Sequence, residues 1–171
     1  MKVTNDFLII GDTSQISKWL PVKCDRISSR EFHSDLIGDY RRIFVCFAEQ
    51  RTFNNDFDFV GVNYDYTLEV VDSILPKCDE VVWYSTTMLW ENLEKYSIDD
   101  DFSYDESNQY LVSKEMITNE LRKNPNVLIH YPCNFNSSHR KEGYLFSKLM
   151  SACRGNKVST GNLNFNREMT H

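Results

Sequence analysis

The chain has 171 residues, 41% hydrophobic and 26% charged, with 25 acidic side chains against 19 basic ones and a net charge of −6. That is the length of one domain with a sizeable core, needing no metal or disulfide to fold, and its acidity argues against a partner held mainly through phosphate charge. No apolar run reaches the ~20 residues of a membrane helix and Met1 to Asp6 carries no signal-peptide pattern, while five scattered cysteines without a Cys-x-x-Cys pair suit reduced thiols in a cytoplasmic protein.

Four short, nearly continuous apolar runs read as strands buried on both faces: Phe7–Ile10, Ile43–Phe47, Val81–Tyr84 and Val127–Tyr131. The first enters Gly11-Asp-Thr-Ser14-Gln-Ile-Ser17 and a helix through Trp19. A glycine at such a turn lets the backbone approach a pyrophosphate, which the helix N-terminus attracts; alone, it is more often just a turn. A weaker strand is expected over Val22–Ile27, followed by Arg30 and no clear acidic residue. A basic residue there would accommodate a 2′-phosphate and favour NADP over NAD, with solvated surface charge the plainer alternative. Tyr64, Leu68, Val71 and Leu75 recur at helical spacing, closed by Pro76. The acidic Asp99–Glu106 stretch reads as a solvated loop before it reads as a metal site. Val112, Met116 and Glu120 share one face of a later helix and Ile117 and Leu121 a neighbouring one, with Lys123-Asn124-Pro125 as its stop. Strand–helix–strand repetition predicts a single α/β domain over 1–171, a compressed Rossmann-like and mainly parallel sheet flanked by helices.

Chemistry concentrates late in the chain. Tyr110-Leu-Val-Ser-Lys114 puts a phenol and an ammonium one helical turn apart, where the cation can lower the phenol pKa toward a usable acid/base range. Spacing alone decides nothing, because Tyr144-Leu-Phe-Ser-Lys148 repeats it. Order favours the first copy: it follows a strand ending Tyr84-Ser85-Thr86-Thr87, and hydroxyls at a strand's carboxyl end sit where open α/β sheets bind ligands. Other features read as packing or surface. His33, His130, His139 and His171 lack metal spacing. Cys46 reads as a small buried hydrophobe, and Tyr64, Tyr66, Trp83 and Trp90 as core or interface. Arg140-Lys141 beside Ser137-Ser138 is more simply an exposed loop than a phosphate site.

The order of glycine turn, strand-end Ser/Thr, Tyr-x-x-x-Lys helix and following strand resembles the extended short-chain dehydrogenase/reductases, the NAD(P)-dependent epimerases and dehydratases of nucleotide sugars. Ile43–Gln50 resembles their fourth strand, and Asn63-Tyr-Asp-Tyr-Thr67 the Asn-x-x-x-Thr opening of the next helix. Tyr131-Pro132-Cys-Asn134-Phe-Asn-Ser137 is similar to their Arg-Pro-x-Asn-x-x-Gly. Thr160-Gly-Asn-Leu through Arg167 to His171 looks most like the GDP-mannose 4,6-dehydratase branch. The resemblance implies Tyr110 as acid/base, Lys114 as its pKa-lowering, ribose-binding partner, and Thr86 as hydrogen-bond partner of the reacting oxygen, with Ser85 the next candidate. It implies cofactor contacts from Gly11, Ser14, Gln15, Ile16, Arg30, Phe47, Ala48, Ser85, Tyr110, Lys114, Tyr131, Pro132 and Asn134. It also implies a nucleotide-sugar substrate and a dimer built on Tyr64–Leu75 and Tyr110–Leu121.

The departures are specific. Gly-x-x-Gly-x-x-Gly becomes Gly11-x-x-Ser14-x-x-Ser17, where the Ser14 side chain is expected to crowd a pyrophosphate and Ser17 to be small enough for helix–strand packing. Thr86-Thr87-Met88 replaces the dehydratase Thr-Asp-Glu, removing the pair that eliminates water. The second and third strand units are compressed, and the chain stops at His171 where the family continues into its substrate-binding portion. Two functions follow: an NAD(P)-dependent nucleotide-sugar epimerase or oxidoreductase, or a degenerate, non-catalytic subunit that binds nucleotide or oligomerises.

Overall fold

All five expected strands form and pair in parallel, in the order β2-β1-β3-β4-β5, in a computed structural model that describes residues 6–20, 22–51, 56–135, 145–158 and 169–170. They are β1 (Phe7–Ile10), β2 (Asp25–Ile27), β3 (Tyr40–Val45), β4 (Cys78–Tyr84) and β5 (Val127–His130). The register aligns Leu8, Ile43, Val81 and Val127 in one row, and the next row, Ile9, Phe44, Val82 and Leu128, faces the opposite side. Leu8, Ile9, Ile43 and Val81 are fully buried, so the sheet has a core on each face, as continuous apolar strands require.

Strand limits follow from polar partners that hydropathy does not see. β3 starts three residues before its apolar run because Tyr40 Oη reaches Asp25 Oδ2 at 3.1 Å and Arg42 pairs with Glu80 across the β3–β4 register. It ends at Val45, where Cys46 N donates to Ile10 O at 2.8 Å as the chain turns toward β1. β2 is shorter than expected, beginning at Asp25. A single 3₁₀ turn, Ser34–Leu36, is the only regular element joining β2 to β3, which is the expected compression.

The helices are α1 (Gln15–Trp19), α2 (Thr67–Ile74) and α3 (Gln109–Leu121). The expected Tyr64–Leu75 helix is α-helical only in its second half. Gly61–Tyr66 is wound as a π-helix, and Pro76, which has no N–H to continue the ladder, sits in the 3₁₀ turn Leu75–Lys77. On α3 the Ile117–Leu121 side is buried, with Tyr110, Leu111, Ser113, Lys114 and Thr118, whereas Met116 is exposed. Thr87–Trp90 is a 3₁₀ turn. The acidic Asp99–Glu106 stretch belongs to a loop folded onto Trp90, which stacks on Tyr96 at 5.2 Å and meets Phe102 and Tyr131 edge-on. Trp90 Nε1 donates to Asp100 O at 3.0 Å.

Residues 1–131 and 132–171 are two compact units. The second contains α4 (Leu145–Cys153) and the short parallel pair β6 (Asn134–Phe135) and β7 (Met169–Thr170). No described helix is long and apolar enough to cross a membrane.

Candidate functional site

β1 sits between β2 and β3, so successive connections leave it in opposite directions; open α/β sheets bind ligands beyond the carboxyl ends of strands at such a point. Gly11 makes that turn at φ +95°, and a Cβ added to it would lie 2.9 Å from Phe47 N and 3.0 Å from Cys46 C. Only glycine fits. Ser14 is the N-cap of α1, its Oγ accepting from Ser17 N at 3.0 Å. The Ser14 hydroxyl thus turns back onto a helix N–H instead of leaving it open. Ser17 is fully buried, its Oγ donating within 2.8 Å of both Asp12 O and Ser14 O, bonds that a glycine in its place could not make. Gln15 and Ile16 form the first turn of α1.

Beyond β2 and β3, Phe47 packs against Tyr66 at 5.3 Å, and Tyr66 Oη donates to Ser29 O. Ala48 follows, half-buried. Arg30 is exposed, three residues past the end of β2. Arg26 is committed elsewhere, its Nη1 donating to Ser17 O at 2.7 Å.

The polar centre lies between β4 and α3. Lys114 is 2% exposed, its Nζ donating to Tyr84 O at 2.8 Å and lying 4.3 Å from the Trp83 ring centroid. Burial pushes its pKa down to about 7. Ser85 Oγ pairs with Thr118 Oγ1 at 2.9 Å, and Thr118 Oγ1 also contacts Lys114 O. Ser85 thus faces the helix interior and ties α3 to the end of β4. Thr86, also buried, accepts from Met88 N at 3.2 Å through Oγ1, which leaves its hydroxyl proton free for a second partner. Tyr110, buried next to the N-cap Asn108, lies edge-on to Phe59 at 6.3 Å.

Asn63, inside the π-helix and 1% exposed, clamps three segments together. Its Oδ1 accepts from Glu49 N at 2.7 Å, and its Nδ2 donates to Glu49 O at 3.0 Å and Ser113 Oγ at 3.1 Å. Ser113 Oγ in turn donates to Tyr110 O at 2.7 Å. The loop after β3, the π-helix and α3 are therefore in fixed register at Tyr110. Sequence reading placed Asn63 only at a helix opening and missed Thr118 and Trp83. The signal for Thr118 was available: it lies four residues after Lys114, on the same helix face.

Tyr131 turns into the aromatic cluster, its Oη accepting from Arg122 Nε at 3.1 Å. Pro132 and Asn134 belong to the second unit, where Asn134 opens β6. Ser137, Ser138, His139, Arg140, Lys141, Tyr144, the Gly161-Asn162-Leu163 segment, Arg167 and His171 lie outside the described residues. A cavity of about 460 Å³ opens beside the start of α3, bordered by Phe57, Asp58 and Phe59 on one side and Ser107, Asn108 and Gln109 on the other.

The donor set suits a dinucleotide at one end more than at the other. Among the described residues one Lys114 N–H is used by Tyr84 O, leaving donors for a polyhydroxylated ring. At the other end Gly11 opens the turn while the Ser14 hydroxyl occupies the Ser17 N–H.

No family model and no curated protein matches this sequence. Solved structures do match its fold. MoeE5, in complex with UDP-glucose and NAD, has a TM-score of 0.80 at 16% identity, over 98% of this chain and 68% of its own. DesIV, a dTDP-glucose 4,6-dehydratase from Streptomyces venezuelae with NAD bound, has 0.75 at 15%, over 96% and 67%. A UDP-N-acetylglucosamine 4-epimerase from Methanobrevibacter ruminantium M1, in complex with UDP-N-acetylmuramic acid, has 0.78 at 12%, over 99% and 69%.

Proposed function

We propose that the chain, which has the Rossmann-like fold of NAD-dependent nucleotide-sugar epimerases and dehydratases and spans about two thirds of their length, is an NAD(P)-dependent oxidoreductase of the epimerase type acting on a nucleotide sugar through Thr86, Tyr110 and Lys114. The observation that carries this reading is Lys114: an ammonium buried at the carboxyl end of β4, one helical turn from a buried tyrosine and beside a strand-end Ser/Thr pair. Nothing in packing alone favours a lysine there, since a buried cation costs stability unless paired.

In this reading the turn Gly11–Ile16, with Phe47 and Ala48, holds the dinucleotide, and Lys114 Nζ donates to its nicotinamide-side ribose. In the same reading the exposed Arg30 would meet a 2′-phosphate, which would favour NADP. The nicotinamide, when bound, accepts or returns hydride. Tyr110 Oη takes or gives the proton of the reacting sugar oxygen, and the Lys114 ammonium favours the phenolate that does so. Thr86 donates its free hydroxyl proton to the same oxygen. Thr87 and Met88 follow Thr86 in place of a carboxylate pair, so the reading is hydride transfer without elimination of water. The helices carrying Tyr64–Leu75 and Tyr110–Leu121 are the proposed dimer face, where Met116 is exposed. The proposed compartment is the cytoplasm.

A second reading, a non-catalytic subunit that binds nucleotide weakly or assembles with other copies, rests on the Ser14 cap. Two measurements separate them. Calorimetric titration with NAD, NADH, NADP and NADPH gives binding in the first reading. Screening nucleotide sugars then gives turnover that falls at least about 100-fold in Tyr110→Phe with the fold intact. Full turnover in that variant overturns the assignment of Tyr110. Absence of dinucleotide binding overturns the enzyme reading.

A further inference from the structure

Lys114 has an unusual seat. The ion pairs among the described residues are Arg42–Glu80, Arg51–Glu49 and Lys123–Glu120, and none involves it. Its Nζ meets the Trp83 ring and the Tyr84 carbonyl of β4; beside it Ser85 of β4 pairs with Thr118 of α3, and Asn63 of the π-helix reaches the neighbouring Ser113. With one carbonyl partner and no carboxylate among the described residues, a fully buried ammonium needs another source of negative potential, or it gives up its proton.

The Trp83 ring supplies that potential. Indole has the most negative face of the aromatic side chains, its centroid is 4.3 Å from Nζ, and Trp83 is only 1% exposed, so water does not dilute the attraction. The sheet register dictates this placement. Trp83 lies between Val45 and Ile129 in its row, two residues from Val81 on the face that α3 covers, so its ring lies under the helix carrying Lys114. We propose that Trp83 is a positioning residue for Lys114, holding the ammonium charged and in place at the end of β4. The functional consequence rests on the reading above, in which that ammonium assists Tyr110.

The test uses the unliganded full chain labelled with ¹³C-lysine. The Lys114 ¹³Cε resonance, identified by its loss in Lys114→Met, is followed against pH. Its midpoint is expected to fall by about one pH unit in Trp83→Leu and by less in Trp83→Phe. In the wild-type protein, tryptophan emission steps at the same midpoint, and the step vanishes in Lys114→Met. An unchanged midpoint in folded Trp83→Leu, or no emission step, overturns the proposal. If Trp83→Leu does not fold, Trp83→Phe and the wild-type emission step decide it. No cofactor takes part, so failure to bind dinucleotide would sink the enzyme reading and leave this result standing.

Discussion

Replacing Lys114 by methionine is expected to make the protein more stable, and most of all at low pH. Methionine matches the lysine stem in volume and flexibility and removes the charge. A lysine held at about 7 against its ordinary 10.5 costs the folded state about 5 kcal/mol at neutral pH and below. That cost is net of every interaction of the charged form, and the variant also forfeits the hydrogen bond from Lys114 Nζ to Tyr84 O, worth about 1.5 kcal/mol, leaving about 3 kcal/mol for it to recover. The sign follows from proton counts. Because the folded-state value is depressed, the unfolded chain binds the extra proton between about 7 and 10.5, and wild-type stability rises with pH across that window. The methionine variant lacks this contribution. Its advantage is therefore full at pH 6, shrinks through the window, and is gone when the unfolded lysine is also neutral. Urea unfolding of both proteins at pH 6, 7.5 and 9 measures it, and the raised pKa values of Tyr40 and Cys46 cancel because both proteins share them. A variant less stable than wild type at pH 6, or an advantage independent of pH, would refute the reasoning.

Ser14→Gly frees the Ser17 N–H at a cost of only a few tenths of a kcal/mol in α1; calorimetry is expected to give dinucleotide binding about five- to tenfold tighter, and unchanged affinity would mean the cap does not obstruct the site. Gly11→Ala forces a Cβ to 2.9 Å from Phe47 N at a positive φ, so chemical denaturation should register a loss of about 2–3 kcal/mol. Asn63→Ala leaves Glu49 N–H and O unpaired; the expected loss is about 3 kcal/mol, accompanied by faster amide exchange in the loop after β3 and at the start of α3. An exchange pattern confined to the loop would mean that Asn63 does not hold α3.

Continuous apolar runs revealed four of the five strands because a parallel sheet buried on both faces leaves few polar positions to blur the pattern, whereas the edge strand β2, Asp25–Ile27, gave only a weak signal. Strand ends were hidden by side-chain pairs, Tyr40 with Asp25 and Arg42 with Glu80, that no hydropathy window records. The helix before β4 reads in the sequence from Tyr64, but it is α-helical only from Thr67 because Gly61–Tyr66 is wound as a π-helix, which no 3.6-residue pattern records. At the site, glycine, strand-end hydroxyls and the Tyr-x-x-x-Lys spacing were readable as local patterns. The partners of Trp83 and Ser85 were not, because they depend on β4 meeting α3 across some thirty residues of intervening chain, nor was the partner choice of Asn63, which joins Glu49 to Ser113 on α3, fifty residues on from it. Ser85 shows the difference well: it is adjacent to Thr86 in sequence, yet the strand's alternation sends the two hydroxyls to different partners.

The π-helix has a consequence for how this segment tolerates change in length. A six-residue π turn holds one residue more than α geometry would, and so shifts the phase of everything before it relative to everything after it. That offset lets Asn63 face Ser113 while Val70, Val71 and Ile74 face the sheet. Deleting the exposed Asp65 would let the whole stretch wind as an ordinary α-helix, with α2 still packed. Asn63 would then rotate by about 100° about the helix axis and swing off Ser113. Helical content would survive the deletion, and the registration of Tyr110 would not.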